Sequence, residues 1–458
     1  MESILDDLDR EDILTTTLIS RSWVIPSRAR LFTTFRVPYT LTRLKELQTL
    51  LISPHCTFYL VKVRQIEILG GCPAVARFIE LCGSEEKISS SLTAEYWSSR
   101  IIRHLKHIKP RSRSSIRKVA KWSDIFLENI EKLSIHTLQF PRHTKTCRCC
   151  SLTKRTYNTL ITQFHLHSVQ ELNLRAVKFS LPDQLAELLV DSLPSLATLT
   201  CEEVRLTSKR ANESADPEVK SCSATLHALV YLKLDVSSLV AMREAQLLFP
   251  KLRQLVFYDD NRYLMKHEHV IGYLSELLHI AIGSHVEEFD FTLEWKGSTL
   301  DTLCLQFDLP ATLPSLKILS LSVRPTVLPS LLTFKNPHCT LRYVTLSSFS
   351  LHELGRCTEI DNLLRKNVPR LAKLEFIAVV YLREQKMLYT WPPEGPLNFD
   401  TICRRIKEGG SIWEMVIERR TQLEQVFPWC TERGVLAPLF HLQGCGDRTP
   451  PERGFGYL

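Results

Sequence analysis

A short apolar pattern recurs along the chain from about residue 130. Two apolar residues flank one residue of any kind, as Leu133 and Ile135 do in "IEKLSIHTL". This alternation places both apolar side chains on one face of a short β-strand. The later pairs with the same spacing are Leu172/Leu174, Leu199/Cys201, Leu232/Leu234, Leu255/Phe257, Phe289/Phe291, Leu319/Leu321, Val344/Leu346 and Leu374/Phe376. The pairs recur about every 30 residues, which predicts a chain of repeated units.

Helical segments lie between these strands. The clearest is "PDQLAELLVDSLP" at 182–194, whose leucines fall on one side of a helix. Pro182 suits the first helical position, and Pro194 ends the segment. A proline, one residue and a leucine then precede the next strand, a phrase that recurs in "FPKLRQL", "LPSLKIL" and "VPRLAKL". The repeated order of helix, proline and strand predicts parallel strands stacked side by side with helices outside.

This pattern resembles the leucine-rich-repeat class. The repeats here are longer than the 20–29 residues usual in that class, and "LNLRAV", "LSLSVR" and "VTLSSF" lack its characteristic Asn. We therefore expect an irregular solenoid. A doubly wound or mixed α/β domain with the same local pattern is the alternative.

The amino-terminal stretch 9–32 has a different pattern. It begins with an apolar helical face, and Pro26 then starts a second short helix that ends at Leu31 and Phe32. The first face comprises Ile13, Leu14, Leu18, Ile19 and Trp23, and the turn ahead of it contains Ile4, Leu5 and Leu8. The pattern is three short helices joined by turns.

The succession of "LDREDIL", "LISRSW" and "SRARLF" in this stretch resembles an F-box. With the repeats behind it, the chain is similar to a fungal-type F-box/leucine-rich-repeat protein. That resemblance implies a substrate-recognition subunit of an SCF-type ubiquitin ligase, in which the F-box docks the ligase adaptor and the repeats hold a protein substrate. The adaptor-facing residues it implies are Leu8, Ile13, Leu14, Ile19 and Trp23.

The family motif usually opens with Leu-Pro and one more helical turn, and we expect this first F-box helix to be incomplete here. Loss of two buried apolar contacts would cost on the order of 3–6 kcal/mol of adaptor binding. Two alternatives stay open. In the first, the stretch 1–40 is a helical cap on the repeats. In the second, the chain is a repeat scaffold that binds a protein partner without recruiting a ligase.

The expected fold class is α/β, with a small three-helix F-box-like module followed by an irregular leucine-rich-repeat-like solenoid. The module occupies 1–40, and a connecting region with a basic helix at 100–121 occupies 41–129. The solenoid spans 130–382. A carboxy-terminal cap and loose tail, in which 411–427 forms an amphipathic helix, occupy 383–458.

Charge adds one candidate surface. The segment 100–121 holds nine Lys and Arg and no acid, which exceeds the net charge of +8. A nucleic-acid patch is one hypothesis. The interleaved Ile101, Ile102, Leu105 and Ile108 favour a helix with a solvated basic face, so nucleic acid is not the expected partner.

The 14 cysteines are scattered without a repeated spacing, and the acidic start "MESILDDLDRED" does not match a signal peptide. Reduced thiols in a cytoplasmic or nuclear protein are expected. No apolar run approaches the roughly 18 residues that a membrane span needs, so no membrane partner is expected.

Catalytic and metal-binding motifs are weak. Cys147 and Cys150 have C-x-x-C spacing, but the downstream His165 and His167 are separated by one residue rather than the spacing zinc sites use. Nucleophile-elbow and phosphate-loop motifs are missing from the sequence. We expect a protein that is not an enzyme and has no metal or cofactor. The acidic pairs Glu202-Glu203 and Glu287-Glu288 are expected to be solvated or to line a binding face.

Overall fold

A computed structural model gives the fold of this protein. The residues that it describes are 27, 30–31, 33–38, 40–52, 63–69, 73–83, 126, 130–136, 166–206, 224–259, 274–281, 285–293, 308–323, 328–350, 357–382, 397–398 and 420–444.

The strands follow one another along the whole described chain. They are β1 (Thr34–Arg36), β2 (Gln65–Leu69), β3 (Lys132–His136), β4 (Glu171–Arg175), β5 (Lys178–Phe179), β6 (Thr198–Glu202), β7 (Arg205–Leu206), β8 (Ala224–Thr225), β9 (Tyr231–Asp235), β10 (Leu247–Leu248), β11 (Gln254–Asp259), β12 (Glu288–Leu293), β13 (Ile318–Ser322), β14 (Tyr343–Ser350), β15 (Lys373–Leu382), β16 (Leu397–Asn398) and β17 (Leu436–Gly444).

Helices lie between many of these strands. They are α1 (Leu41–Ile52), α2 (Pro73–Gly83), α3 (Pro182–Ala186), α4 (Val236–Glu244), α5 (Leu309–Thr312), α6 (Leu328–Leu332), α7 (Cys357–Asn367) and α8 (Pro428–Glu432). Two π-helical turns occupy Glu187–Asp191 and Leu277–Ala281, and residues 420–426 are also helical. The protein is therefore mixed α/β, as the repeated order of helix and strand predicts.

The chain forms two compact units. Unit 1 comprises 1–229 and 240–248, and unit 2 comprises 230–239 and 249–458. In unit 1, strands β1, β2, β3, β4 and β6 form a parallel sheet in chain order. The buried pairs align across it, with Leu133 opposite both Ile66 and Leu172. The short strands β5 and β7 form a separate parallel pair, as do β8 and β10.

Unit 2 is built on a longer parallel sheet. Strands β9, β11, β12, β13, β14, β15 and β17 pair in that order, and β16 adds to β17 in the antiparallel direction. Leu255 lies opposite Leu232 on one side and Phe289 on the other, so the apolar pairs form continuous rows. The core lies on this face of the sheet, together with buried helix leucines such as Leu331 and Leu364.

All nine apolar pairs predicted from the sequence lie on strands of these sheets, and every member is at most 3% exposed. The helix predicted at 182–194 is also present, as α3 continued by a π-helical turn to Asp191. Its Leu185, Leu188, Leu189 and Leu193 are buried. The periodicity therefore identified both the elements and their inward faces.

Eight of the described strands were not predicted, and three of them, β1, β2 and β17, extend the parallel sheets of the repeat strands. Strand β2 carries the same alternation at Ile66 and Ile68 but lies ahead of residue 130, and β1 pairs with it in register. Strand β17 lies in the region interpreted as a cap and loose tail, and it pairs with β15 over nine residues. Its sequence "LAPLFHLQG" contains Pro438 and lacks strict alternation, so periodicity gave no signal for it.

The strands of unit 2 begin in line because of a repeated hydrogen-bond arrangement. The carbonyl oxygen of Glu287 accepts the backbone N–H groups of Lys317 and Ile318 at 2.8 and 3.0 Å. The carbonyl oxygens of Arg253, Lys317 and Arg342 each accept two N–H groups from the next strand in the same way. The residues just before each strand therefore form one edge of the sheet, which we call the amino-terminal edge.

Candidate functional site

The outer face of the unit 1 sheet is polar. The residues between the buried pairs alternate to the opposite face, and in register they form the row Glu67, Ser134, Asn173 and Thr200. Within that row, Asn173 Nδ2 donates to Ser134 Oγ at 3.5 Å. A polar face of this kind is available for contact with another molecule.

Opposite charges alternate between neighbouring strands of that face. Arg36 Nε lies 2.7 Å from Glu67 Oε2, and Arg175 Nε lies 3.6 Å from Glu202 Oε2. Lys132 pairs with Glu171 in the same manner. Such cross-strand pairs contribute up to roughly 1 kcal/mol each at exposed sites. Their main effect is that the cations of this face are matched by carboxylates.

His136 belongs to the same face. Its Nε2 lies 3.8 Å from Glu67 Oε1. Burial lowers the pKa of the His136 imidazole, and the nearby Glu67 carboxylate acts in the opposite direction. Burial is the larger effect, so His136 is neutral at pH 7.

The outer face of the unit 2 sheet carries aromatic and apolar side chains. Tyr343 is 47% exposed and lies in register between Ile318 on β13 and Lys373 on β15. On another part of the face, Lys233 Nζ lies 5.0 Å from the centroid of the Tyr258 ring. Tyrosine is enriched at protein-binding surfaces, so this face is a candidate for one.

Three arginines meet at the amino-terminal edge of unit 2. Arg342 Nη1 donates to the carbonyl of Arg370 at 3.3 Å, and Arg433 Nη1 donates to the carbonyl of Pro369 at 3.1 Å. The Arg433 guanidinium also lies 4.9 Å from the centroid of the Trp429 ring. Two guanidinium groups are thus held on consecutive carbonyls of one turn, which itself carries Arg370. We call Arg342, Arg370 and Arg433 the arginine cluster.

The lysines next to the arginine cluster are matched by acids. Lys317 Nζ lies 3.0 Å from Glu287 Oε2, and Lys373 pairs with Glu375. Among the described residues, no carboxylate lies within ion-pair distance of the three arginines. The cluster is therefore a local excess of positive charge.

Buried polar groups hold the turn that precedes Arg370. Asn367 Nδ2 donates to the carbonyl of Leu332 at 2.6 Å, and the Asn367 carbonyl accepts the N–H of His338 at 2.7 Å. His338 Nε2 in turn lies 3.0 Å from the carbonyl of Leu313. These contacts tie the end of α7 to the two preceding loops, so the turn at Pro369 and Arg370 has a defined position.

The F-box residues predicted from the sequence, Leu8, Ile13, Leu14, Ile19 and Trp23, lie outside the described residues, as do the basic segment 100–121 and the cysteines Cys147 and Cys150. Ser27, Arg30 and Leu31 are described, and all three are helical, where a short helix from Pro26 is predicted. Among the described residues, no group of three or more His, Cys, Asp or Glu side chains is placed to hold a metal ion.

The acidic pairs divide between two roles. Glu202 ends β6 and pairs with Arg175, and Glu287 lies on the amino-terminal edge and pairs with Lys317.

The arginine cluster was not predicted from the sequence. A signal was present, because Arg342 immediately precedes a strand, but its proximity to Arg433 depends on the tertiary structure.

Among the described residues, no helix is both long and apolar enough to cross a membrane. Comparison of the chain with models of known protein families gives no match. Comparison with curated proteins gives no significant match either.

Proposed function

We propose that this protein is a substrate-recognition subunit of an SCF-type ubiquitin ligase. In this proposal the module at 1–40 docks the ligase adaptor through Leu8, Ile13, Leu14, Ile19 and Trp23. The repeats form an irregular leucine-rich-repeat-like solenoid, and their outer strand face binds a protein substrate.

The observation that carries the proposal is the succession of "LDREDIL", "LISRSW" and "SRARLF" ahead of the repeats. Aligned parallel strands within each unit support the second half of it, since each repeat contributes one strand whose alternate residues lie on the outer face of that unit's sheet. Repeat proteins use such extended faces to bind other proteins.

A binding assay with the purified ligase adaptor tests the proposal. We expect the full chain to bind the adaptor and Trp23→Ala to weaken that binding about 100-fold, because a buried Trp at a docking surface contributes on the order of 2–4 kcal/mol. Trp23→Phe is the matched control, since it keeps a large aromatic side chain, and it should retain most of the affinity.

Thermal unfolding of the same variants separates docking from folding. A Trp23→Ala protein that remains folded but loses the adaptor supports an F-box. A Trp23→Ala protein that unfolds supports the alternative in which 1–40 is a helical cap. Failure of the wild-type chain to bind the adaptor refutes ligase recruitment and leaves the repeat scaffold as the function.

A further inference from the structure

We propose that the arginine cluster, together with Tyr343 and Ile318, binds an acidic peptide segment of a partner protein. Carboxylates of the segment pair with the guanidinium groups, and a neighbouring apolar side chain of the segment packs on Tyr343. The statement that this acidic segment belongs to the ligase substrate rests on the proposed function. Binding of an acidic peptide to the unit 2 sheet can be measured without the ligase adaptor.

The geometry favours a carboxylate ligand. Arg342 and Arg433 are held on the consecutive carbonyls of Pro369 and Arg370. A guanidinium group has five N–H donors in a rigid plane, and it pairs with carboxylates through two parallel hydrogen bonds. Anchoring one donor orients the planar group before any ligand arrives, so less side-chain freedom is lost on binding.

The charge of the cluster is the second argument. Three like charges around a single turn repel one another, and among the described residues none of the three has a carboxylate partner. The adjacent Lys317 and Lys373 already have Glu287 and Glu375 as partners. An anionic ligand would therefore meet the arginines rather than the lysines, and it would relieve their mutual repulsion.

An apolar contact lies directly beside this charge. Tyr343 follows Arg342 in the chain and is 47% exposed. Ile318 lies opposite it on the neighbouring strand, which in a β-sheet is about 4.8 Å away. Arginine and tyrosine are enriched among the residues that contribute most to protein–protein binding. A segment with acidic residues next to one aromatic or aliphatic residue fits both features.

The surroundings favour a short acidic peptide over nucleic acid. Glu287 and Glu288 lie at the start of β12, two strands from Arg342, and Asp290 follows on the same strand. A nucleic acid needs a continuous run of cations along its phosphate backbone. Here acidic side chains interrupt the positive surface two strands away from Arg342, so that surface is local.

Fluorescence anisotropy with a labelled peptide tests the proposal. The probe is a Glu-rich peptide with one central Phe, and its controls are the same peptide with every Glu replaced by Gln and a labelled single-stranded DNA. We expect the wild-type chain to bind the Glu-rich probe more tightly than either control, with affinity that falls as salt is added. Equal binding of the Gln peptide, or tighter binding of the DNA, would overturn the proposal.

Variants locate the site. Arg370 is exposed, so Arg370→Glu should leave the fold intact and weaken binding of the probe by at least about tenfold, as expected for reversal of a central charge. Lys251→Glu is the matched control, because it makes the same change in net charge at an exposed position in unit 2 outside the cluster. Equal effects of the two variants would refute a specific site.

Tyr343→Ala isolates the apolar contact. It should weaken binding of the Phe-containing probe and have little effect on a probe in which Gly replaces Phe. Adaptor binding by the Arg370→Glu chain should equal that of the wild type. If Arg370→Glu loses the probe but keeps the adaptor, the result tests the peptide site alone. If the wild-type chain does not bind the adaptor, the result contradicts the proposed function and leaves the peptide site unaffected.

Discussion

The carboxylate of Asp361 accepts a 2.9 Å hydrogen bond from the backbone N–H of Trp429, a residue 68 positions further along the chain. Its other oxygen accepts the N–H of Cys430 at 3.2 Å. Asp361 lies on α7 and is 2% exposed, and the two N–H groups belong to the first turn of α8. One buried side chain thus joins the last repeat helix to the segment that leads into β17.

We predict that Asp361→Ala lowers the free energy of unfolding by about 2–4 kcal/mol, because two N–H groups lose a charged acceptor. Asp361→Asn keeps one acceptor oxygen and should cost less. Urea denaturation measures both, and the exposed Asn362→Ala on the same helix is the control. A loss no larger than that of the control would show that the contact is dispensable.

Among the described residues, three that are not glycine have backbone in the left-handed region: Ala176, Glu203 and Gln246. Ala176 has φ 52° and Glu203 has φ 56°, and each directly follows a strand, β4 or β6. A side chain in that region costs about 1 kcal/mol relative to glycine. We predict that Ala176→Gly and Glu203→Gly each raise the free energy of unfolding by up to about 1 kcal/mol.

Ala197→Gly is the control for these two substitutions. Ala197 precedes β6 and does not have positive φ, so glycine there should destabilise the protein by about 0.5–1 kcal/mol through unfolded-chain entropy. Denaturant midpoints of the three variants give the comparison. The same sign of change at all three positions would contradict the explanation.

Stability should depend on pH through His338, whose side chain is buried. Burial lowers the pKa of the His338 imidazole from its ordinary value of 6.5, and the hydrogen bond to the Leu313 carbonyl opposes that effect. The unfolded chain then binds more protons than the folded chain as the pH falls below about 6.5. We predict that the free energy of unfolding decreases as the pH falls below about 6.5, and that His338 contributes no pH dependence well above that pH.

His338→Gln should reduce this pH dependence, whatever its effect on stability at pH 7. Some dependence should remain, since burial also lowers the pKa of His136 in unit 1. Unfolding measured between about pH 5.5 and 7.5 gives the slopes, with the exposed His227→Gln as control. An unchanged slope in His338→Gln would exclude this residue as the cause.

The thiols offer an independent check of burial. Among the described residues, Cys82, Cys201 and Cys430 are buried, whereas Cys339 is exposed. Burial raises the pKa of the Cys82 thiol, and burial with the adjacent Asp361 raises the pKa of the Cys430 thiol. Because the thiolate is the reactive form, we predict that an alkylating reagent modifies Cys339 before the other three of these cysteines in the folded protein.

Peptide mapping by mass spectrometry measures the extent of alkylation at each cysteine. In denaturant all four cysteines should react at similar rates, which provides the control. Rapid modification of Cys201 or Cys430 in the folded protein would contradict the burial of the strand face or of α8.

The sequence alone determined nine of the described strands and their inward faces. Pairs such as Leu319/Leu321 and Leu374/Phe376 alternate with polar residues, and that period of two is a local property that any buried strand must have. Strand β17 was missed because its sequence "LAPLFHLQG" contains Pro438 and lacks strict alternation. The F-box interpretation of 9–32 stays a prediction.

Only the tertiary structure decided which distant side chains meet. Arg342 and Arg433 are 91 residues apart in the chain, yet both donate to the turn at Pro369 and Arg370. Asp361 reaches Trp429 for the same reason: the order of strands in the sheet places α7 beside α8. Such contacts join side chains to backbone groups of other repeats. These contacts depend on the path of each loop between a helix and the next strand. Periodicity along the chain carries no information about the paths of the loops.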